Sequence, residues 1–526
     1  MFNSVPRVCF GLPIVVLGVA AGLVGCGGSD SHHGHGYTDK SLNLGTLSSK
    51  QTATIALGYY PGSDASDSAV INLSCKGVAR PASVKVYKAL DTENESIERY
   101  GTPEMEAAGR AAVEKYKKQC LAKGTDIAPC KANTVYTDLN EGETTLIDVY
   151  LRSEKNVTVQ KMHKNSDTSS VIVLAEVVNG EPVISKEKAL SYDEYFGTNN
   201  HYDPEGLGIG ERVRKTFGSE WRKDGGMDGT KKVVLIFLSS NTIGSGTYGY
   251  CTTIDSLPKS QESYSNEGEI LYLNGDKEGI DIYSTIAHEF QHMCNFNQKY
   301  IKDGTFSGDS FEMLSINEGQ SMLAEDICGF NLDPVCDGEA EPGNYFLGSA
   351  INSYLSNPNE VNSVSFDNTG GAYGKAYLTM RYIADAFGVD YVTRIATSSS
   401  VGFDNVVNVT KSTLPNLMAG MTVACTALDG LPSSMKYTNL ELLKEYELCV
   451  SEDTSETVLI TSIYGDEVEA SDFGSGSIEL DPNTSAVIDI LGDGSQVKLN
   501  YSMPENCAGT VVTSENNKCM KTYTMK

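Results

Sequence analysis

One pentapeptide, H-E-F-Q-H at 288–292, constrains this chain more than any other stretch, because it lies inside a segment of strong helical character. The run 281–297 contains neither proline nor glycine, and Asp281 is a suitable N-terminal cap. Apolar residues recur at helical spacing, namely Ile282, Ile286, Phe290 and Met293. The sequence therefore predicts one helix that buries this stripe and carries both histidines.

The two histidines can bind one metal ion, because residues four apart lie one above the other on a helix. Glu289 lies about 100° round the helix from His288, near the metal but free to take a proton from a water. Zinc takes nitrogen and oxygen ligands at about 2 Å, and catalytic sites keep one position open for water. The alternative interpretation is a helix with two surface histidines and a solvated glutamate.

A downstream histidine cannot be the third ligand, because the chain has seven histidines and none follows His292. The third ligand must then be a carboxylate or come from upstream. A second predicted helix, at 317–325, carries Glu318 and Glu325 near one face. Packed against the first helix, it can supply Glu318 as third ligand, while Glu325 is placed to hold a histidine's other nitrogen. Alternatively, both are exposed glutamates of an acidic protein.

These two segments resemble the hyicolysin-type zinc metallopeptidases, a thermolysin-like branch in which glutamate is the third ligand. The resemblance rests on A-H-E-F-Q-H-M-x-N-F-N followed by N-E-G-x-S-x-x-A-E-D-I, and it extends over residues 205–430. It implies a secreted or surface zinc endopeptidase in which His288, His292 and Glu318 bind the metal and Glu289 is the base. Cys294 departs from the family pattern, which leads us to expect an aliphatic residue there.

A further donor is expected opposite the metal, because the negative oxygen of the tetrahedral intermediate is only partly stabilised by zinc. With no histidine after His292, tyrosine and arginine are the strong downstream donors. The stretch Y-G-K-A that begins at Tyr373 resembles the Tyr-x-Lys-Gly stretch of related aminopeptidases, whose tyrosine contacts the oxyanion. We therefore predict this catalytic role for Tyr373. The alternatives are a tyrosine packed at a helix N-terminus, or a role for Tyr377, Arg381 or His201.

The first 26 residues have the pattern of a lipoprotein signal peptide. Arg7 precedes an apolar run, and the ending L-V-G-C resembles a bacterial lipoprotein cleavage site with Cys26 as the lipidated residue. By the same resemblance, Gly27 after the cysteine favours a location at the outer membrane or cell surface. The lipid would then anchor the protein to the membrane, and the chain would not cross it. A transmembrane anchor is the alternative, although the run is short and glycine-rich. Residues 27–40 are predicted to form a flexible tether with three histidines.

The charge balance bears on partners, since 69 Asp and Glu stand against 41 Lys and Arg, a net charge of -28. This balance argues against nucleic acid and leaves protein or peptide substrates as the expected partners. One catalytic Zn²⁺ is the expected cofactor. An acidic turn at 224–229 is a candidate for Ca²⁺, although it is too short for an EF-hand loop and a plain turn is the alternative.

Thirteen cysteines are present, and two of them, Cys9 and Cys26, belong to the leader. Eleven is an odd number, so at least one is free or pairs between chains, and export permits disulfides. Close spacing suggests the pairs Cys120–Cys130, Cys328–Cys336, Cys425–Cys449 and Cys507–Cys519.

A chain of this length exceeds one core. We predict a multidomain α+β protein whose thermolysin-like metallopeptidase core, with a mostly helical lobe, spans 192–450. A β-rich, sandwich-like domain at 41–191, with a helical insertion at 103–121, precedes it, and a small β-rich domain at 451–526 follows. The strand at 269–274 forms either the edge of the cleft or a core strand.

The expected function is that of an exported, lipid-anchored zinc endopeptidase. Two alternatives belong to other classes of protein. One is a surface adhesin or binding lipoprotein with an inactive metallopeptidase fold, and the other is a lipoprotein that only sequesters metal through its histidine-rich tether.

Overall fold

The computed structural model describes residues 38–48, 50–61, 68–76, 84–86, 103–124, 136–150, 154–164, 169–220, 226, 228–301, 310–356, 358, 361–451, 454–463, 467–468, 476–480, 482–491, 496–504 and 506–525. The predicted signal peptide, Cys26 and most of the tether lie outside these residues. Among the helices of the described part, none is both long and apolar enough to cross a membrane.

Helices and several β-sheets make up the described residues, as expected for an α+β protein. The helices are α1 (Pro103–Lys123), α2 (Lys186–Gly197), α3 (Ile209–Phe217), α4 (Ser240–Ile243), α5 (Gly279–Lys299), α6 (Leu314–Ile327), α7 (Tyr345–Ser356), α8 (Gly370–Ala386), α9 (Val389–Thr397), α10 (Gly402–Thr410) and α11 (Leu414–Ala424). The strands are β1 (Thr38–Thr46), β2 (Gln51–Tyr59), β3 (Ala69–Lys76), β4 (Val84–Val86), β5 (Thr144–Tyr150), β6 (Glu154–Lys161), β7 (Val171–Val178), β8 (Glu181–Pro182), β9 (Val233–Leu238), β10 (Gly249–Cys251), β11 (Ile270–Asn274), β12 (Val335–Cys336), β13 (Glu339–Ala340), β14 (Gly343–Asn344), β15 (Lys444–Ser451), β16 (Thr454–Ile460), β17 (Glu467–Val468), β18 (Gly476–Leu480), β19 (Thr484–Leu491), β20 (Gln496–Met503), β21 (Cys507–Glu515) and β22 (Lys518–Met525).

The central sheet has the strand order β10–β11–β9–β7–β6–β5, with β8 paired to β7. Strands β7, β9 and β11 run parallel, whereas β10 pairs with β11 in the antiparallel direction. The sequence V-V-L-I-F-L of β9 is buried at every residue, because both faces of the sheet are covered. Val233 and Leu235 enter the larger core with the helices, while Val234 and Ile236 enter a separate core on the opposite face.

Strand β11 lies inside this sheet, between β10 and β9, and all its residues are buried. The core-strand interpretation of 269–274 is therefore confirmed. Because β11 is paired on both sides, it offers no free edge to an extended peptide, although Glu269 and Ile270 line a cleft. The edge strand is β10, which has only three residues and gave no strand signal in the sequence.

Helix α5 packs against β10 and β11 on one side and against α6 on the other. It begins at Gly279, and Asp281 lies in its first turn, so the predicted cap at Asp281 is wrong. A negative charge in the first turn still favours the helix through its dipole. Helix α6 packs in turn against α8, and α8 against α7, which gives the predicted helical lobe.

Strands from the two ends of the chain pair with one another, which differs from the predicted division into domains at 41–191 and 451–526. One sheet has the order β1–β20–β3–β18 and the other β17–β4–β19–β2–β21–β22. Ile55 of β2 faces Ile488 of β19 and Val511 of β21, and all three share one core. Strands β5 to β7 belong to the central sheet instead. Alternating polarity predicts which face of a strand is buried, but not which strand is its partner.

Candidate metal centre and cleft

Helix α5 presents the two histidines of the pentapeptide from successive turns. His288 is fully buried, and His292 is partly buried at the edge of a cleft. Their ring centroids are 4.8 Å apart, as expected for side chains four positions apart on a helix. The burial of α5 between the sheet and α6 therefore fixes both rings in place.

Glu318 comes from α6, which approaches α8 very closely at the next residue, Gly319. A Cβ atom at Gly319 would lie 2.4 Å from the carbonyl oxygen of Ala376, so only glycine permits this backbone contact. The close approach of α6 to α8 sets the position of the neighbouring Glu318, whose side chain is buried beside the two histidines.

Nitrogen and oxygen atoms of His288, His292 and Glu318 form a compact group. One nitrogen from each histidine and one oxygen of Glu318 lie within 4.8 Å of one another. Such a set of side chains could hold a metal ion. Nε2 of His288 lies 3.2 Å from Oε2 of Glu318, and Nε2 of His292 lies 3.5 Å from Oε1. Tetrahedral zinc with bonds of about 2.1 Å separates neighbouring donors by about 3.4 Å. The donor types therefore suit such an ion, and the two distances from histidine to glutamate match its spacing.

A buried carboxylate orients the ring of His288. Nδ1 of His288 lies 2.8 Å from Oε1 of Glu325, and the other oxygen of Glu325 accepts a hydrogen bond from Nδ2 of Asn344 at 2.7 Å. Both Glu325 and Asn344 are fully buried. A proton on Nδ1 leaves the lone pair of Nε2 directed toward Glu318, which is the tautomer a metal ligand needs.

Buried side chains also tie α5 to α6 around His292. Oε1 of Gln320 accepts hydrogen bonds from Gln291 at 3.0 Å and from Asn295 at 3.2 Å. The hydroxyl of Ser321 donates to Oε1 of Gln291 at 2.5 Å and lies 3.1 Å from Nδ1 of His292. The same hydroxyl lies 3.1 Å from the carbonyl oxygen of Asn317 and 3.4 Å from Nε2 of His292, so Ser321 holds the ring of His292 beside α6.

The charges of the site follow from its burial and its contacts. Burial lowers the pKa of His288, but its bonds to Glu318 and Glu325 outweigh this and raise that pKa. Burial raises the pKa of Glu318, but the charge of His292 and the bonds from both histidines hold that pKa at about 2. Glu318 is thus ionised at neutral pH, as metal binding requires.

Glu289 lies beside this group, and only one of its two buried carboxylate oxygens is hydrogen-bonded among the described residues. The backbone N–H of Cys251, at the end of β10, donates to Oε2 of Glu289 at 2.9 Å. Among the described residues, no group hydrogen-bonds to Oε1. Burial raises the pKa of Glu289, which moves the carboxylate toward the range of an effective general base.

A cleft of about 900 Å³, including space open to solvent, runs beside the group. Glu289, His292 and Glu318 line it together with residues of the loop after β10 and of helix α1. Its other walls include Met293, Phe296, Phe311, Glu269, Glu312 and Asn317. The mixture of apolar walls and a few converging polar groups is typical of a ligand-binding cleft.

The structure does not bring Tyr373 to this cleft. Its ring is buried with Phe346 at 5.4 Å and Phe366 at 4.9 Å, and its hydroxyl donates to Oδ1 of Asn368 at 2.9 Å. Tyr373 is not among the residues that line the cleft. This position does not support the predicted oxyanion role and agrees with the alternative of a packed tyrosine.

The other downstream candidates also point elsewhere. Tyr377 donates to Asp326 at 2.8 Å, and Arg381 pairs with Asp326 and Asp385 at 3.0 and 2.8 Å. His201 contacts Asp337 at 2.8 Å. None of the three candidates lines the cleft in the described part of the chain.

The predicted disulfides Cys328–Cys336, Cys425–Cys449 and Cys507–Cys519 are not formed, since Cys328, Cys336, Cys425, Cys507 and Cys519 are free thiols. In the last pair, Cys519 lies opposite Ser514, almost a whole strand away from Cys507. Two cysteines that are close in sequence are therefore not close in space when they lie at opposite ends of the paired strands of a hairpin. Cys130 of the fourth pair lies outside the described residues.

Two smaller expectations concern Cys294 and the acidic turn at 224–229. Cys294 is fully buried in the main core, where it packs as a small apolar side chain in place of an aliphatic one.

In the acidic turn, Oδ1 of Asp228 accepts hydrogen bonds from the N–H and hydroxyl of Thr230 at 2.8 and 2.9 Å, which agrees with a turn. Asp224 lies outside the described residues.

Sequence reasoning missed Asn344 and the backbone of Cys251. Asn344 follows the two motif helices in a loop-rich region, and nothing in its local sequence indicates a contact with Glu325. The role of Cys251 belongs to its peptide N–H, which carries no residue signature. Ser321 is the exception, since its spacing from Glu318 places both on neighbouring turns of one helix.

Comparison with known proteins points to a class of enzyme. No family model matches the chain. Over 276 residues the chain is 25% identical to the neutral metalloprotease ShpI of Staphylococcus hyicus, and the match covers 50% of this chain and 58% of that protein. The chain thus spans less than two thirds of this relative's length. The similarity and the buried His–His–Glu group together support a metallopeptidase.

Proposed function

We propose that this protein is a zinc-dependent endopeptidase in which His288, His292 and Glu318 bind the metal. The observation that carries the proposal is the short distance from each histidine to Glu318, 3.2 and 3.5 Å, in a cleft that Glu289 also lines. Two histidines and one carboxylate suit zinc better than calcium or magnesium, which prefer oxygen ligands alone. The similarity to a neutral metalloprotease supports the same class of reaction.

Zinc, when bound, would supply Lewis acidity and lower the pKa of a water. The chain's own groups do the remaining work. Glu289 uses Oε1 to take a proton from the water that attacks the scissile carbonyl, while the N–H of Cys251 holds Oε2 in place. The same carboxyl group then gives that proton to the leaving amine, which completes hydrolysis and restores the base.

The cleft is suited to an extended peptide. Strand β10 forms the edge of the central sheet, and its last residue and the loop that follows line the cleft. A peptide laid along such an edge binds through backbone hydrogen bonds whatever its side chains are. This arrangement supports cleavage within chains and a thermolysin-like core of the hyicolysin type.

The proposal extends to the place where the enzyme acts. Export rests on the pattern of the first 26 residues, with Cys26 lipidated and the protein anchored at the bacterial outer membrane or cell surface. Metabolic labelling with a fatty acid, compared between wild type and Cys26→Ser, tests this part separately. Equal labelling of both would contradict the anchor.

Casein digestion tests the enzymatic proposal. We expect the purified protein to digest casein, a chelator to abolish digestion, and added Zn²⁺ to restore it. A protein that binds zinc yet leaves casein and a mixture of unfolded proteins uncut would contradict the proposal and favour a binding protein with an inactive fold.

A further inference from the structure

We propose that helix α1 forms one wall of the substrate cleft, and that Arg110 on this helix selects peptides carrying a carboxylate near the scissile bond. The proposal rests on the peptidase function proposed above, and it names the class of substrate. Helix α1 was predicted only as a helical insertion in a separate domain, but Met105 and Arg110 line the same cleft as Glu289, His292 and Glu318.

Helix α1 is firmly docked against the catalytic part of the chain. Its inner face is buried with residues from around the cleft, and this small core comprises Val113, Tyr116, Cys120, Leu257, Tyr300 and Ile301. At Gly109 the helix comes so close to the loop after β10 that a Cβ atom would lie 2.5 Å from Oγ1 of Thr253. Thr253 lines the cleft too, so this contact sets the distance between the two walls.

The guanidinium group of Arg110 is held at the cleft surface by an aromatic ring. Its central carbon lies 5.0 Å from the ring centroid of Phe311, a cation–π geometry. Phe311 is itself stacked on Tyr300 at 4.3 Å. The side chain is half-buried. A positioned, partly desolvated guanidinium binds a carboxylate more strongly than a mobile surface cation does.

The charged side chains that line the cleft show why Arg110 would bind an acidic group of the substrate. Four glutamates line the cleft, namely Glu269, Glu289, Glu312 and Glu318. Arg110 is the one lysine or arginine among the described residues that line it. The buried Nζ of Lys299 lies 3.2 Å from Oε2 of Glu312 and forms an ion pair with it. Glu318 is paired with the histidines. A guanidinium has five N–H donors, so Arg110 can bind a substrate carboxylate while it keeps its contact with Phe311.

Two sources of a carboxylate fit this geometry, an acidic side chain and a free C-terminus. Matched fluorogenic peptides distinguish them, with glutamate or glutamine at one position and with a free or amidated C-terminus. We expect kcat/KM of the wild type to favour the carboxylate over the neutral partner by about tenfold. In Arg110→Gln this preference should disappear, and in Arg110→Glu a lysine peptide should replace the acidic one as the better substrate.

Lys115→Gln is the matched control, because Lys115 is an exposed residue of the same helix. It should keep the full preference. A second readout needs no turnover, namely the affinity of the peptides for Glu289→Gln and for the double variant Glu289→Gln/Arg110→Gln, measured by fluorescence anisotropy. The first variant should bind the acidic peptide about tenfold more tightly than the second.

The outcomes separate the two proposals. If the wild type cleaves no peptide of the set, the peptidase function fails. If it cleaves them and the ratio between acidic and neutral peptides is the same in the wild type and in Arg110→Gln, the role of Arg110 is overturned while the peptidase function stands. A preference that also falls in Lys115→Gln would likewise overturn it, since the effect would then be one of overall charge.

Discussion

Oε1 of Glu325 lies 2.8 Å from Nδ1 of His288, and both side chains are fully buried. This contact fixes the ring whose other nitrogen faces Glu318, so Glu325 acts on the metal through the histidine. Glu325→Gln keeps the shape and removes the charge, and we expect it to weaken zinc binding by about 10- to 100-fold. Glu318→Gln should weaken binding more, because it changes a ligand.

A competition titration with a coloured chelator measures both zinc affinities. Glu341→Gln is the matched control, since Glu341 is exposed, and it should bind zinc like the wild type. If Glu325→Gln loses more affinity than Glu318→Gln, the ligand on α6 is Glu325 and the assignment of Glu318 fails.

Tyr373→Phe should affect stability and not catalysis. The hydroxyl of Tyr373 donates to Asn368 at 2.9 Å inside the core, away from the residues that line the cleft. Its removal should lower the free energy of unfolding by about 1 kcal/mol, with kcat and zinc content unchanged. Urea denaturation and peptide kinetics measure the two quantities. A fall in kcat on the order of 10²-fold at unchanged stability would restore the oxyanion role.

Asp255 should make stability depend on pH. It is buried, it accepts hydrogen bonds from the N–H of Asn266 at 2.7 Å and the hydroxyl of Tyr272 at 2.8 Å, and burial raises its pKa to about 7. The folded state then holds this proton more tightly than the unfolded state. The contribution of Asp255 to stability is therefore greatest below about pH 4 and is lost as the pH rises to about 7.

Asp255→Asn removes this titration, so the stability of the variant relative to wild type should rise between pH 4 and pH 7. Thermal unfolding of both proteins at several pH values measures the difference. Asp404→Asn changes an exposed aspartate and should show no such trend. A constant difference between Asp255→Asn and wild type across this range would contradict the prediction.

The local parts of the site could be predicted from the sequence because they depend on helix geometry alone. The spacing of His288 and His292, and that of Glu318 and Glu325, fixes which side chains share a face. The structure brings His288, His292 and Glu318 together and joins Glu325 to His288 as expected.

The non-local parts could not be predicted from the sequence. The pairing of β2 with β19 and β21 joins residues more than four hundred positions apart, and periodicity carries no information on such pairing. The docking of α1 onto the cleft depends on contacts such as that of Gly109 with Thr253, which the sequence of the helix alone does not reveal. The oxyanion role of Tyr373 was expected from a short resemblance alone, and such a resemblance does not indicate that the hydroxyl contacts Asn368 in the core.

The central claim is that Glu289 is the general base and not a ligand. The most direct test is to measure zinc content and peptidase activity of Glu289→Gln beside the wild type in the same preparation. The account predicts that the variant keeps its zinc and loses nearly all activity, because Oε1 can no longer accept a proton while His288, His292 and Glu318 are unchanged. Full activity with zinc bound, or loss of zinc together with activity in a folded protein, would contradict it.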